Sequence, residues 1–239
     1  MSRLAVLDQL LQQYQEFEYH QNPQLKKRLD DAQHWLKQRI KETHQDMFAQ
    51  PENQLMAQYF INRLYGGPDF DALAKQIERL LRFAHKVESK LPEKAIQTGI
   101  KSVSLAHLAM QLDQEVAQQL LADYQSDRDI DDEMMRLTLI KLDQQQARER
   151  QLQLLDDLGL SLDKYMRSFM MYTAFKMCKG LASKYNFDLM YEFIGEGFAA
   201  MKPMKSAAKF IHQFTQVERQ IVADVHAGKA QPFQRRNTQ

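Results

Sequence analysis

Apolar residues recur every three to four positions along almost the whole chain. That period, set against a shortage of chain breakers, leaves few folds open. Only 8 glycines and 6 prolines occur in 239 residues, and they fall mostly between the periodic segments, where they act as punctuation. Strict alternation is absent and β-branched residues are sparse, so no run reads as a strand. The pattern predicts an all-α fold, a compact bundle of about eight or nine helices with no sheet.

The first helix is expected over 2–20, with Ser2 as its N-cap and Leu4, Leu7, Leu11, Tyr14 and Phe17 along one face. Asn22 followed by Pro23 is a cap-and-first-turn signal, and it opens a helix to about His44. A third spans about 53–65 and is stopped by Gly66, Gly67 and Pro68. Residues 69–88 follow, with Leu73, Ile77, Leu80, Ala84 and Val87 as the buried stripe. The chain breaks around Pro92 and Gly99, and Ser102 caps a helix to about Tyr124. The polar run 126–133 interrupts the pattern and leads into a helix over 130–158 that Gly159 ends. Ser161 opens another to about Lys184, a shorter one covers 187–200, and the last runs over 205–227 to Gly228. Residues 1–228 read as a single helical domain, with halves 1–125 and 130–228 as the alternative; 229–239 read as a flexible basic tail.

Hydrophobic residues at 44% and charged residues at 26% are globular values, which excludes a disordered or fibrous class. A net charge of +1 argues against bulk capture of nucleic acid or anionic membrane, although it leaves room for a local patch. The N-terminal segment lacks the long uncharged stretch of a secretory signal, and no window approaches 18 uninterrupted apolar residues. A soluble, cytoplasmic protein is expected. Cys178 is the only cysteine, which rules out an intrachain disulfide. It is expected to be buried and structural rather than reactive.

The constellations that would carry chemistry are incomplete. A di-iron site needs paired Glu-x-x-His motifs, and the nearest match is the lone pair Asp31 and His34. Asp127, Asp129 and Asp131 imitate a calcium loop, but Asp132 and Thr138 stand where glycine and glutamate are required. Acidic residues at a helix start explain them better. Gly195 and Gly197 begin a dinucleotide fingerprint with no strand before them and Ala200 in place of the third glycine, so close helix packing is expected there. No metal, cofactor or catalytic residue set follows from the motifs.

Three features carry binding potential. Lys75, Arg79, Arg82 and Lys86 line one helix face, most simply a solvated one. Lys202, Lys205 and Lys209 surround the start of the last helix beside Ser206. Cations there oppose the helix dipole, so a bound anion is expected to offset them. Met166, Met170, Met171 and Met177 crowd one helix with Phe169, Tyr172 and Phe175, and Met201 and Met204 lie further on. That helix is apolar around most of its circumference and is expected to run through the centre of the fold.

One segment resembles a named family. YFINRLYGG at 59–67 is similar to the peptide of the bacterial FFLEELY-motif proteins, matched at Phe60, Leu64, Tyr65 and Gly66. Tyr59 and Ile61 replace a phenylalanine and a leucine; Asn62 and Arg63 stand where the two glutamates would be. Segments 193–204 and 217–221 resemble the family's C-terminal region, with looser likeness at 104–120 and 147–151. The resemblance implies a bacterial helical domain without an assigned activity. The retained residues are aromatic and aliphatic, which makes Phe60, Leu64, Tyr65 and Gly66 structural. The sequence thus points to a non-enzymatic protein that binds a protein partner or an apolar or anionic small ligand, with Lys202, Lys205 and Ser206 at the site. The alternative is an enzyme whose site assembles from single residues such as Glu196, His107 or His212.

Overall fold

The computed structural model describes residues 2–65, 70–86, 88–90, 93–166 and 169–234. Among them the chain forms twelve α-helices, nine of seven residues or more, and no strand. They are α1 (Ala5–Gln15), α2 (Pro23–Thr43), α3 (Gln45–Ala49), α4 (Gln54–Tyr59), α5 (Phe70–Lys86) and α6 (Glu93–Asp123). The second half contributes α7 (Asp132–Leu142), α8 (Gln145–Met166), α9 (Phe169–Met177), α10 (Lys179–Lys184), α11 (Asp188–Met201) and α12 (Ala207–His226). A π-helical turn, Phe60–Leu64, extends α4.

Several boundaries follow from the capping chemistry of the sequence. The Asn22 side chain accepts a hydrogen bond from Leu25 N at 3.1 Å, with Pro23 in the first turn of α2. Asp131 accepts from Met134 N at 2.8 Å and so starts α7 at the polar interruption. Ser206 caps α12, and Gly228 beyond its C-terminus has a φ of 72°, a conformation glycine adopts without steric cost.

Other expected boundaries are displaced. α6 runs unbroken through Gly99 and Ser102; the Ser102 hydroxyl donates back to Thr98 O at 2.9 Å instead of capping a new helix. The break expected at Gly159 falls at Asp143, whose φ of 48° lies in the left-handed region, where aspartate is tolerated. Ser161 likewise bonds back to Asp157 O within α8. Ser2 does not cap α1, because Leu4 occupies the cap position; its hydroxyl instead donates to Glu88 at 2.9 Å. On α5, Leu81 is buried while Leu80 is 40% exposed. The expected stop at Gly66, Gly67 and Pro68, and the positions Val87 and Pro92, lie outside the described residues.

The core is a chain of linked apolar clusters. One joins Ala32 of α2, Leu120 of α6, Met134 of α7 and Val225 of α12, with Phe233 beyond the last helix packed into it. Phe233 therefore anchors the segment expected to fray, its ring 5.0 Å from that of Trp35; residues 235–239 lie outside the described set. A second cluster packs Met201, Met204, Ala207 and Phe210 against Met56 of α4. Within the methionine-rich helix the described side chains of Met177 and Tyr172 are not central, at 79% and 39% exposed; those of Met166, Phe169, Met170 and Met171 lie outside the description. Cys178 is exposed as well, because it sits at the bend between α9 and α10, neither of which is a core helix over its described residues.

Glycine sets the closest helix approaches. A Cβ placed on Gly159 of α8 would lie 2.7 Å from Ile211 Cδ1 and 3.2 Å from Ile211 Cβ, so α8 reaches α12 only because that atom is missing. On α11, a Cβ on Gly197 would meet the Tyr59 hydroxyl at 3.1 Å and one on Gly195 would meet Phe175 at 3.3 Å, which agrees with the close packing expected there. Gly159→Ala is expected to lower stability by about 1–3 kcal/mol through overpacking, read as the midpoint of urea unfolding. Gly99→Ala serves as the opposite case. No atom lies within 4 Å of its Cβ position, so the alanine should raise the midpoint through helix propensity, by about 0.5–1 kcal/mol.

Candidate functional site

The chain at 59–65 divides its side chains between two surroundings. The α-helical ladder gives way to a π turn, closed by Tyr65 N donating to Phe60 O at 2.9 Å. Such turns insert one residue into a helix and recur at functional sites. Tyr59 and Arg63 face α11: the Tyr59 hydroxyl donates to Phe193 O at 3.1 Å, and Arg63 Nε lies 2.8 Å from Glu196 Oε2. Burial, with the nearby Glu196 carboxylate, pushes the Tyr59 phenol well up. Phe60 and Ile61 instead face Ile40 and Phe214 in a buried cluster, with the Phe60 and Phe214 rings 4.7 Å apart. Leu64 is 38% exposed at the end of the turn. Gly66 lies outside the described residues.

Tyr65 borders a set of ionisable groups that the sequence reading did not single out. The centre is Glu218 of α12, buried between Arg39 of α2 and His44 just beyond its end. Arg39 Nη1 donates to Glu218 Oε1, and His44 Nε2 lies 2.7 Å from the same oxygen. The contact requires the His44 proton on Nε2, and its ring stacks on Phe214 at 4.4 Å. Burial alone would raise the Glu218 carboxyl, but the Arg39 charge and the two hydrogen bonds hold it down at about 2.

A second carboxylate behaves oppositely. Asp113 of α6 is buried, and its Oδ2 accepts from Gln33 Nε2 at 3.1 Å. Burial pushes its pKa up, and the charge of Arg148 together with the Gln33 bond only partly opposes this. Arg148 of α8 donates from Nη2 to Gln144 Oε1 at 3.3 Å, while its buried Nε has no hydrogen-bond partner. Arg39 Nε is buried and unpartnered too. Burial raises the Tyr65 phenol, and Asp113 adds to the effect.

These groups line a cavity of about 690 Å³, within the range of small-molecule pockets. Its walls come from α1, α2, α4, the π turn, α5, α6, α7, α8, α11 and α12, and are overwhelmingly aliphatic and aromatic, including Leu11, Leu36, Leu81, Val103, Leu152 and Phe193. Arg39, Tyr65, Asp113, Gln144, Arg148 and Glu218 are among its polar lining residues, with Ser102, His107, Gln151 and His226 elsewhere on the wall. Segments far apart in the chain, 59–67, 104–120, 147–151 and 217–221, supply Tyr65, Asp113, Arg148 and Glu218 respectively.

The lysine cluster forms a separate place. Ser206 Oγ accepts from Lys209 N at 3.1 Å and donates to Asp163 Oδ2, while Ala207 N donates to Asp163 Oδ1 at 2.9 Å. The carboxylate of Asp163 on α8 thus occupies the first turn of α12, and Lys202, Lys205 and Lys209 stand exposed around it. Glu196, His107 and His212 are not brought together. Glu196 pairs with Arg63, His107 stacks on Phe17 at 5.2 Å with its pKa lowered by burial, and His212 is exposed with Nδ1 3.7 Å from Asp156. No three His, Cys, Asp or Glu side chains gather in a metal-binding group among the described residues.

The Glu218 cluster has a pH signature. Its pKa in the folded protein is depressed, so its contribution is complete above about pH 4.5, the ordinary glutamate value, and is lost as pH falls toward about 2. Unfolding midpoints measured in urea from pH 6 to 2 should fall across that window in the wild type. In Glu218→Gln the fall should be shallower and the protein less stable at pH 6, by roughly 3–5 kcal/mol, since Arg39 is left buried and unpaired.

No curated protein and no solved structure matches the chain. A family model, described as a domain of unknown function (DUF8198), matches residues 16–232. Arg39, Tyr65, Asp113, Arg148 and Glu218 fall within the matched span, and the chain belongs to this family of domains of unknown function.

Proposed function

We propose that the protein is a non-enzymatic binding protein for a small amphipathic molecule, one with an apolar body and an oxygen-bearing anionic end. The observation that carries this reading is the cavity of about 690 Å³ with apolar walls and two buried arginine donors, Arg39 Nε and Arg148 Nε, that lack acceptors. A buried unsatisfied donor is costly, and an acceptor oxygen on a ligand would relieve it.

The charge balance at that corner favours an anion. Arg39 is matched by Glu218, whereas Arg148 faces Asp113, a carboxyl that burial pushes toward its neutral form. One guanidinium is thereby undercompensated, and guanidinium binds carboxylate or phosphate oxygens strongly. The aromatic and aliphatic residues of the segment resembling the bacterial FFLEELY-motif proteins would form part of the wall, through Tyr59, Phe60, Leu64 and Tyr65. An enzymatic reading built on Glu196, His107 and His212 has less support, because each is engaged with different neighbours.

The test is competition against a fluorescent long-chain carboxylate, with the alcohol of equal length as the uncharged comparison. Wild type is expected to bind both and to prefer the acid. Arg148→Met should weaken the acid by about 10–100-fold, the worth of a charge-assisted hydrogen bond, and leave the alcohol nearly unchanged. Ala109→Phe, which fills the cavity wall, should weaken both about equally. Failure of the wild type to bind either probe, or equal loss of acid and alcohol in Arg148→Met, would contradict the proposal.

A further inference from the structure

Residues 164–187 contain Lys164, Arg167, Lys176, Lys179 and Lys184 and not one carboxylate, in a chain whose net charge as a whole is only +1. The flanking acids are Asp163, which is committed to the start of α12, and Asp188 at the start of α11. Within this stretch α9, α10 and the residue that follows α10 expose a run of large apolar side chains: Met177 is 79% exposed, Leu181 57%, Tyr185 57% and Tyr172 39%. α10 has no buried residue at all. Lysines are interleaved with the apolar groups. Lys176 Nζ sits 4.7 Å from the Tyr172 ring and Lys184 Nζ 5.7 Å from the Tyr185 ring.

We propose that the α9–α10 corner is a docking surface for an anionic lipid bilayer, on which the protein lies without spanning it. Three observations favour a bilayer over a protein surface. The cations whose side chains are described on α9 and α10 themselves are lysines, a residue depleted from protein–protein interfaces but common where an apolar face meets anionic headgroups; Arg79 of α5 joins them at the far end, where it donates to Asn186 O. Tyrosine and lysine are amphipathic, so apolar stems and rings can enter the headgroup boundary while the polar ends stay in water. The helices are short and bent at Cys178, which suits shallow insertion, and no helix among the described residues is long and apolar enough to cross a membrane.

The corner also connects to the interior. Phe175 of α9 stacks on Tyr191 of α11 at 4.2 Å, and the adjacent α11 residues Met190, Phe193 and Ile194 line the cavity. An apolar molecule held in a bilayer would meet the protein at this point. Docking itself does not depend on the cavity, and the two ideas fail separately.

The experiment is flotation of the full chain with vesicles of phosphatidylcholine alone and of phosphatidylcholine mixed with phosphatidylglycerol. The wild type should float with the mixed vesicles and not with the neutral ones. Each lysine near an anionic surface is worth about a fivefold change in partitioning, so the triple change Lys176→Gln, Lys179→Gln, Lys184→Gln should abolish flotation. Met177→Asp with Leu181→Asp should do the same, with helical content unchanged by circular dichroism because these side chains are exposed. A polarity-sensitive dye on Cys178, the only thiol, should shift to the blue with mixed vesicles. Arg148→Met should float like the wild type. Absence of flotation on mixed vesicles, unchanged flotation in either multiple variant, or capture by heparin without vesicle binding would overturn the proposal.

Discussion

A carboxylate that stays ionised out of water must be held by cations in fixed positions, and Glu218 imposes that condition on this bundle. Removing its partners would leave a buried charge costing several kcal/mol. Arg39 and His44, which satisfy it, flank the C-terminal end of α2. The arrangement sets where α12 sits relative to that end, and Phe214, one turn before Glu218, then meets Ile40, Phe60 and Ile61. The π turn and Tyr65 are positioned by that cluster, so the polar corner of the cavity is a consequence of how one glutamate is neutralised. Apolar packing supplies most of the driving force for such a fold, but it is non-directional and would not choose this register by itself.

The α8–α12 approach works by omission rather than by contact. Gly159 lets Ile211 sit against the α8 backbone, which brings helix 145–166 close enough to carry Arg148 to the cavity and Asp163 to the start of α12. The same helix thereby serves two charge roles: a guanidinium for the interior and a carboxylate for a helix terminus. Asp163 also gives the surrounding lysines a local counter-charge, which makes the dipole conflict around Lys205 and Lys209 less severe than the sequence suggests.

Helix identity was legible in the sequence because it depends on local period and caps. Asn22 with Pro23, Asp131, Ser206 and Gly228 all act at the termini their chemistry implies. Helix interruptions were less legible. Gly99 and Gly159 are tolerated inside long helices, while the real break falls at Asp143. A glycine that ends a helix and one that admits a neighbour look alike without the neighbour. The ionisable groups of the cavity were missed for a related reason: Arg39, Asp113, Arg148 and Glu218 lie on four helices and share no motif. A signal was present in Asp113, a carboxylate set among Met110, Leu112, Val116 and Ala117, all of them buried. The exposure of Met177 and Tyr172 was not legible because a count of apolar residues along a helix does not say which neighbours cover them.

The Phe60–Leu64 turn has a consequence for how this segment can vary. In a π turn the number of residues matters as much as their identity, because one extra residue is accommodated between fixed ends. Shortening 60–64 by a single residue would let the ladder close as ordinary α-helix between the same ends, and the side chains between them could no longer divide as they do, Arg63 toward α11 and Phe60 and Ile61 toward Phe214. The aromatic segment is therefore a spacer as well as a wedge, and its length is part of its information.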